Sequence, residues 1–179
     1  MKKNIKIAIS GKSGSGNTTV SQLVAEKLGY KLINFTFRNL AAEHNMTLEE
    51  VMKAAAADDS WDKEVDRRQL EMARESICCV LGSRLAIWLL PEADLKVYLE
   101  GKADTRAHRI VKREGGDFTA VKTFTKNRDK QDSERYLSLY TINNNEYQFA
   151  DLIIDTDKYS AEETAALIIE AVEKKYSSL

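Results

Sequence analysis

Nine residues near the start of the chain, Gly11 to Thr19 (GKSGSGNTT), have types and spacing suited to holding phosphate. Gly11, Gly14 and Gly16 allow consecutive main-chain N–H groups to turn inward around an oxyanion, at the positive end of a following helix. Thr18 stands where a hydroxyl could reach a magnesium ion bridging the distal phosphates of a nucleotide. The pattern G-x-x-x-x-G-K-[ST] is met at Gly11, Gly16 and Thr18, but its lysine is Asn17. An asparagine amide donates a hydrogen bond and brings no charge, although positive charge on the β- and γ-phosphates is a large share of catalysis in phosphoryl transfer. Lys12 is one candidate substitute, because its position after the first glycine lets its chain fold back over the loop. A solvated Lys12 is the competing reading, since lysine is flexible and strongly hydrated. For the loop itself, the competing reading is an unliganded glycine-rich turn.

A second region carries charge suited to the same chemistry. From Lys102 to Arg135 there are ten Lys or Arg against six Asp or Glu. Helical spacing puts Arg106, Arg109 and Arg113 on one face, and Arg128, Asp132 and Arg135 on another. Guanidinium groups clamp phosphate oxygens in two-point contacts, and a carboxylate can orient them. A solvated helix laced with ion pairs would carry the same residues.

The elements that must position these groups alternate along the chain. Ile5 to Ser10 reads as a strand leading into the loop, with Ile5, Ile7 and Ile9 on one face. Val20, Leu23, Val24 and Leu28 predict a helix closed by Gly29. Lys31 to Asn34 is a second short strand. Phe37 to Glu75 is helical in pattern, with a capping box at Thr47 to Glu50. Ile77 to Leu81 and Leu95 to Leu99 read as buried strands. Two helical stretches, Lys102 to Arg113 and Phe118 to Tyr140, are separated by Gly115-Gly116. Asp151 to Asp155 is a last strand, and Ser160 to Glu163 caps a closing helix to Tyr176. Alternation of this kind predicts an α/β fold: a parallel sheet covered on both faces, with the long helical insert standing off it.

The composition limits the function classes. At 179 residues the chain is read as one domain, 43% hydrophobic and 31% charged. A net charge of −1 and a basic run with few interleaved aromatic residues argue against nucleic acid as a partner. The N-terminal MKKNIKIAIS begins like a signal peptide, but its apolar stretch is short and runs straight into the loop. The greasy stretch ICCVLGSRLAIWLL is broken by Gly82, Ser83 and Arg84 and is too short to span a bilayer. A cytoplasmic protein with no membrane contact is expected. Cys78 and Cys79 are adjacent, so a strand would send them to opposite faces as buried free thiols. His44 and His108 lie far from any cysteine and are expected on helix surfaces.

Several stretches together resemble the archaeal-type cytidylate kinases, small members of the nucleoside monophosphate kinase superfamily. They include SGKSGSGNTTVSQLVAEKLGYKLI, FRNLAAEHNMTLEEV, DKEVDRRQLEMA, SRLAIW, ADLKVYLEGKADTRAHRIVKRE, NRDKQDSERYLSLY and ADLIIDTDKYSAE, in the family's order and over nearly the whole chain. The groups Arg128, Asp132, Arg135, Tyr136 and Asp66-Arg67-Arg68-Gln69 are more specific than any phosphate loop. Relatives often carry a small polar residue such as threonine where this chain has Asn17.

The resemblance implies a three-layer P-loop kinase fold whose five-stranded parallel sheet has the order 2-3-1-4-5. The core would comprise residues 1–34, 76–105 and 140–179, with a monophosphate-binding insert at about 35–75 and a lid at about 106–139. The loop residues Gly11, Ser13, Gly14, Ser15, Gly16, Asn17, Thr18 and Thr19 would bind ATP together with Arg109, and Thr18 would hold Mg²⁺. Lys12, Arg113, Arg128 and Arg135 would stabilise the transferring phosphoryl group. Arg38, Arg84 and Asp132 would bind the acceptor nucleotide, and Asp66, Arg67 and Gln69 would line its site. The implied reaction is phosphoryl transfer from ATP to CMP or dCMP by a monomeric enzyme whose partners are nucleotides alone. The alternatives are a catalytically weakened nucleotide-binding paralogue, or a kinase for another monophosphate such as UMP or AMP.

Two further departures touch the chemistry. Where relatives read E-G-R, this chain has Gly82-Ser83-Arg84, so a carboxylate that would help hold the water shell of magnesium is gone. LINFTFR is about two residues shorter than the corresponding run in relatives and lacks an aspartate near the acceptor.

Overall fold

The residues described in the computed structural model run from 4 to 177. Lys2 and Lys3, read above as part of the basic N-terminal stretch, lie outside them. Strands β1 (Lys6–Gly11), β2 (Lys31–Ile33), β3 (Cys79–Gly82), β4 (Leu95–Glu100) and β5 (Leu152–Asp155) form one parallel sheet in the order β2-β3-β1-β4-β5. This is the order that the resemblance implies.

Alternation along each strand divides the core into two layers. Ile7, Ile9, Val80, Val97 and Leu99 face one side, where they pack with Val20 and Val24 of α1 (Asn17–Leu28) and Ile168 and Val172 of α8 (Ala161–Ser177). Ala8, Cys79, Leu81 and Tyr98 face the other side, against Ala73 of α4 (Ser60–Glu75) and Ile87 of α5 (Ala86–Leu89). Cys78 and Cys79 accordingly fall on opposite sides and are not joined in a disulfide; Cys79 is buried and Cys78 half-buried. Burial raises the Cys79 thiol to about 11.

The helical insert is not continuous. It divides into α2 (Phe37–Glu43), α3 (Leu48–Ala57) and α4. Asn45 takes a positive φ of 54° in the first break, and Thr47 then caps α3 with the expected box, its N–H donating to Glu50 at 2.7 Å. The second break comes at Asp58, whose carboxylate accepts from Ser60 N–H at 2.9 Å. β3 begins at Cys79 and not at Ile77, because the first rung of its ladder with β1 pairs Lys6 with Cys79. Ile77 is left 62% exposed. The four-residue α5 has no counterpart in the sequence reading; it is too short to show a period, and Ser10 Oγ accepts its Ile87 N–H at 3.1 Å. Beyond β4, α6 (Ala103–Glu114) and α7 (Phe118–Tyr140) pack on each other across the expected Gly115-Gly116 break. His44 and His108 are both exposed, against Trp61 and Phe118 respectively.

Candidate active site

Because every strand runs the same way, the C-terminal ends of β1, β3, β4 and β5 share one edge, where ligands collect in open parallel sheets. β1 runs into the loop there, and α1 starts at Asn17, so the loop lies over a helix N-terminus. At Gly14 (φ +78°) a Cβ would come within 2.7 Å of the Arg106 carbonyl oxygen, so the loop rests directly on α6. Arg106 is buried beneath it. It donates to Ser13 O at 2.9 Å and Gly101 O at 3.1 Å and pairs with Asp129 at 2.7 Å. Arg109 donates to Thr156 Oγ1 at 2.9 Å and reaches Gly14 O at 3.4 Å. These two arginines of the predicted face thus brace the loop main chain.

Beside the loop, α6 and the β5–α8 turn enclose a cavity of about 500 Å³. Val20, Tyr159 and Ala161 supply apolar wall, and Arg109, Lys112 and Arg113 supply cationic wall. Two buried hydroxyls in this lining, Ser15 Oγ and Thr164 Oγ1, have no hydrogen-bond partner among the described residues. Such a group normally finds one.

A second cavity, of about 270 Å³, lies over the loop itself. It is lined by Gly11 to Thr19, by Gly82, Ser83 and Arg84 from the end of β3, and by Arg113 and Arg128. Thr18 is exposed in it. Arg128 is exposed, while Arg113 pairs with its exposed neighbour Glu114. Lys12 also lines this cavity, and its Nζ donates to Asn145 Oδ1 at 2.9 Å. The Asn17 side chain turns down toward the sheet, donating to Ile9 O at 3.0 Å and to Ser83 O at 3.3 Å.

The remaining predicted residues gather between α4 and α7. Arg84 is ion-paired with Asp132, and Arg135 with Asp62. Tyr140 Oη donates to Asp66 at 2.5 Å, and Gln69 Nε2 donates to Phe35 O at 2.7 Å. Burial lowers Arg84 and raises Tyr140, and it raises Asp66 against the opposing pull of the Tyr140 hydrogen bond. Arg135 Nε is buried with no partner among the described residues.

Two predicted residues stand apart. Arg67 is exposed and spans Glu64 and Glu71 on its own helix, an i,i+3 and i,i+4 arrangement. Arg38, on the exposed face of α2, lines none of these cavities. The sequence reading missed Asp62, Tyr140, Asn145, Thr156 and Thr164. Asp62 and Asp66 had a signal, four residues apart on one face of α4, whereas the others sit in turns or carry no motif.

The Cytidylate kinase-like family model matches residues 6–158, which contain the loop, the lining of the cavity over it, the cationic wall of the cavity beside it and the side-chain pairs joining α4 and α7. The chain belongs to that family. A protein named cytidylate kinase 2 from Borreliella afzelii is 41% identical over 175 residues, covering 96% of this chain and 98% of its own. A cytidylate kinase from Archaeoglobus fulgidus is 42% identical over 173 residues, covering 96% of each chain. In fold, the chain is similar to deoxyadenosine kinase from M. mycoides with bound dATP: TM-score 0.63 at 19% identity, covering 94% of this chain and 100% of that one. This family member, with Asn17 and Gly82, has Arg84, Arg109, Arg113 and Arg128 lining the cavities at the loop, while Arg38 and Arg67 lie away from them.

Proposed function

We propose that the protein transfers the γ-phosphoryl group of ATP to CMP or dCMP, giving ADP and the nucleoside diphosphate. The observation that carries this reading is the order of parts along one edge. A nucleoside-sized cavity, the phosphate loop and the half-buried arginines Arg84 and Arg135 follow one another, as donor base, transferring phosphoryl and acceptor phosphate must. No covalent intermediate is needed, because catalysis of this kind is alignment and charge stabilisation.

In this reading ATP places its base in the cavity between Tyr159 and Thr164 and its phosphates over Gly11, Ser13, Gly14, Ser15, Gly16, Thr18 and Thr19. Arg113 and Arg128 approach the γ-phosphoryl from α6 and α7, and Lys12 guards the far side of the loop. The acceptor phosphate takes the donors of Arg84 and Arg135, and the nucleoside lies against Asp132, Asp66 and Gln69. Arg38 and Arg67 would meet it only if the insert moved inward. Residues 35–75 then act as the monophosphate-binding insert and 106–139 as the lid, whose closure excludes water from a site that would otherwise hydrolyse ATP.

Magnesium enters with ATP as part of the co-substrate. Among the described residues no three His, Cys, Asp or Glu side chains come together as a metal cage. Thr18 Oγ1, exposed in the cavity over the loop, is the residue that would hold the ion, which would supply charge neutralisation on the phosphates. No helix among the described residues is long and apolar enough to cross a membrane. Cysteines not joined in a disulfide suit a reducing compartment.

A second reading, a catalytically weakened paralogue, is favoured by one observation: no carboxylate stands at position 82. Incubation with γ-labelled ATP, magnesium and CMP decides between them. Labelled CDP supports the proposal, and nucleotide binding without labelled product supports the paralogue.

A further inference from the structure

Asn17, Ser21 and Gly82 are packed as one unit at the root of the loop. The two N–H groups of the Asn17 amide face the carbonyl oxygens of Ile9 and Ser83, at 3.0 and 3.3 Å, which can only accept. That fixes the amide's orientation and turns Oδ1 toward α1, where Ser21 Oγ donates to it at 2.8 Å. Ile9 O also accepts the Ser83 N–H at 3.1 Å, so the amide reinforces an existing link between the ends of β1 and β3. Ser21, one turn into α1, is 2% exposed. Its hydroxyl leaves no room at position 82: a Cβ there would lie 2.2 Å from Ser21 Oγ, 2.8 Å from Ser21 Cβ and 2.9 Å from Asn17 Oδ1.

We infer that the two departures at this site, the amide at 17 and the glycine at 82, are a single matched arrangement built around Ser21. Asn17 is a positioning residue. Both its donors and its acceptor are committed inward, so it holds the first residue of α1 to the sheet and aims the loop's N–H groups without touching phosphate. Gly82 is the consequence, since any side chain there would collide with the serine that locks the amide. Positive charge at 17 is therefore not what this site lacks.

This inference rests on the kinase reading only for the choice of kcat as a readout. Gly82→Ala, Ser21→Gly and the double substitution form a cycle, read in kcat with CMP and in thermal midpoint. Gly82→Ala is expected to lower kcat at least about tenfold in the natural background and less than about threefold in the Ser21→Gly background. Equal effects in the two backgrounds overturn the inference. Asn17→Ala should lower kcat while leaving KM for ATP and CMP within about threefold, a split that loss of global stability alone does not produce. A fall in thermal midpoint with kcat unchanged overturns the positioning role. Asn17→Lys should also lose activity, and a gain contradicts the account. Should the natural protein phosphorylate no monophosphate, the proposed function fails, and the cycle in thermal midpoint still decides. A smaller drop for Gly82→Ala beside Ser21→Gly supports the matched arrangement, and an equal drop overturns it.

Discussion

Arg84, at the end of β3, and Asp132, midway along α7, form an ion pair that ties the sheet edge to the expected lid helix. Both side chains are largely shielded, at 27% and 22% exposure, and the pair adjoins the cavity over the loop. In the proposed account, an acceptor phosphate entering there meets an arginine already held in place and partly desolvated, where each charge-assisted hydrogen bond counts for more than in water. Arg84→Ala is expected to lower kcat/KM for CMP by about 10²- to 10³-fold while KM for ATP stays within about threefold. Steady-state kinetics varying each nucleotide separately checks this. A loss confined to ATP binding would place Arg84 on the wrong side of the reaction.

The charge that the loop lacks comes, in this account, from α6 and α7. Arg113→Ala and Arg128→Ala should each lower kcat about a hundredfold, and Lys12→Ala should cost less, because Nζ of Lys12 is engaged by Asn145. Single-turnover rates at saturating nucleotides measure this directly. If Lys12→Ala proved the most damaging of the three, the lysine would be the missing cation.

The cavity beside the loop yields a prediction with two readouts. Thr164 Oγ1 is buried without a partner among the described residues, so Thr164→Val should leave the thermal midpoint unchanged or raise it slightly. In the proposed donor site the same change removes a hydrogen bond to the base and should raise KM for ATP several-fold, with KM for CMP unaffected. Unchanged ATP kinetics would move the base elsewhere.

Asp66 gives a pH dependence whose sign is fixed by burial. Its carboxyl is raised above the ordinary value of 3.8, so between that pH and its own pKa the folded chain holds a proton that the unfolded chain releases. Stability contributed by this group therefore falls as pH rises through that window. Asp66→Asn abolishes the titration, so the variant's unfolding free energy minus that of the natural protein should climb with pH across the window and then level off. Denaturant melts at a series of pH values test it; a pH-independent difference would mean that Asp66 ionises normally in the fold.

The parallel fold was readable because the apolar residues of β1 and β4 alternate, β3 lies in a short continuous apolar run, and the loop announces the strand before it and the helix after it. Gly29 and the box at Thr47 marked helix ends through local chemistry alone, and both stand as read. The division of residues 37–75 into three helices was less visible, because Asn45 and Asp58 break the chain by single-residue backbone choices inside a continuous polar–apolar pattern. At the site, the arginines were legible by type and spacing, but not their partners. Arg135 meets Asp62 across 73 residues, and Tyr140 meets Asp66 across 74, relationships that only the tertiary approach of these side chains from α7 and α4 creates. Asn17 shows the deeper limit. Its residue type signalled a missing charge, while its direction, downward to Ile9 and Ser83, depended on a serine one turn later that no motif singles out.

The central claim is that this edge moves a phosphoryl group to an acceptor nucleotide and not to water. The most direct test is ADP release from ATP and magnesium with no acceptor and with CMP, dCMP, UMP or AMP. The account predicts turnover that depends on CMP or dCMP and exceeds the acceptor-free rate by at least about a hundredfold, as exclusion of water requires. Turnover that is equally fast without an acceptor, or nucleotide binding with no turnover at all, would contradict it.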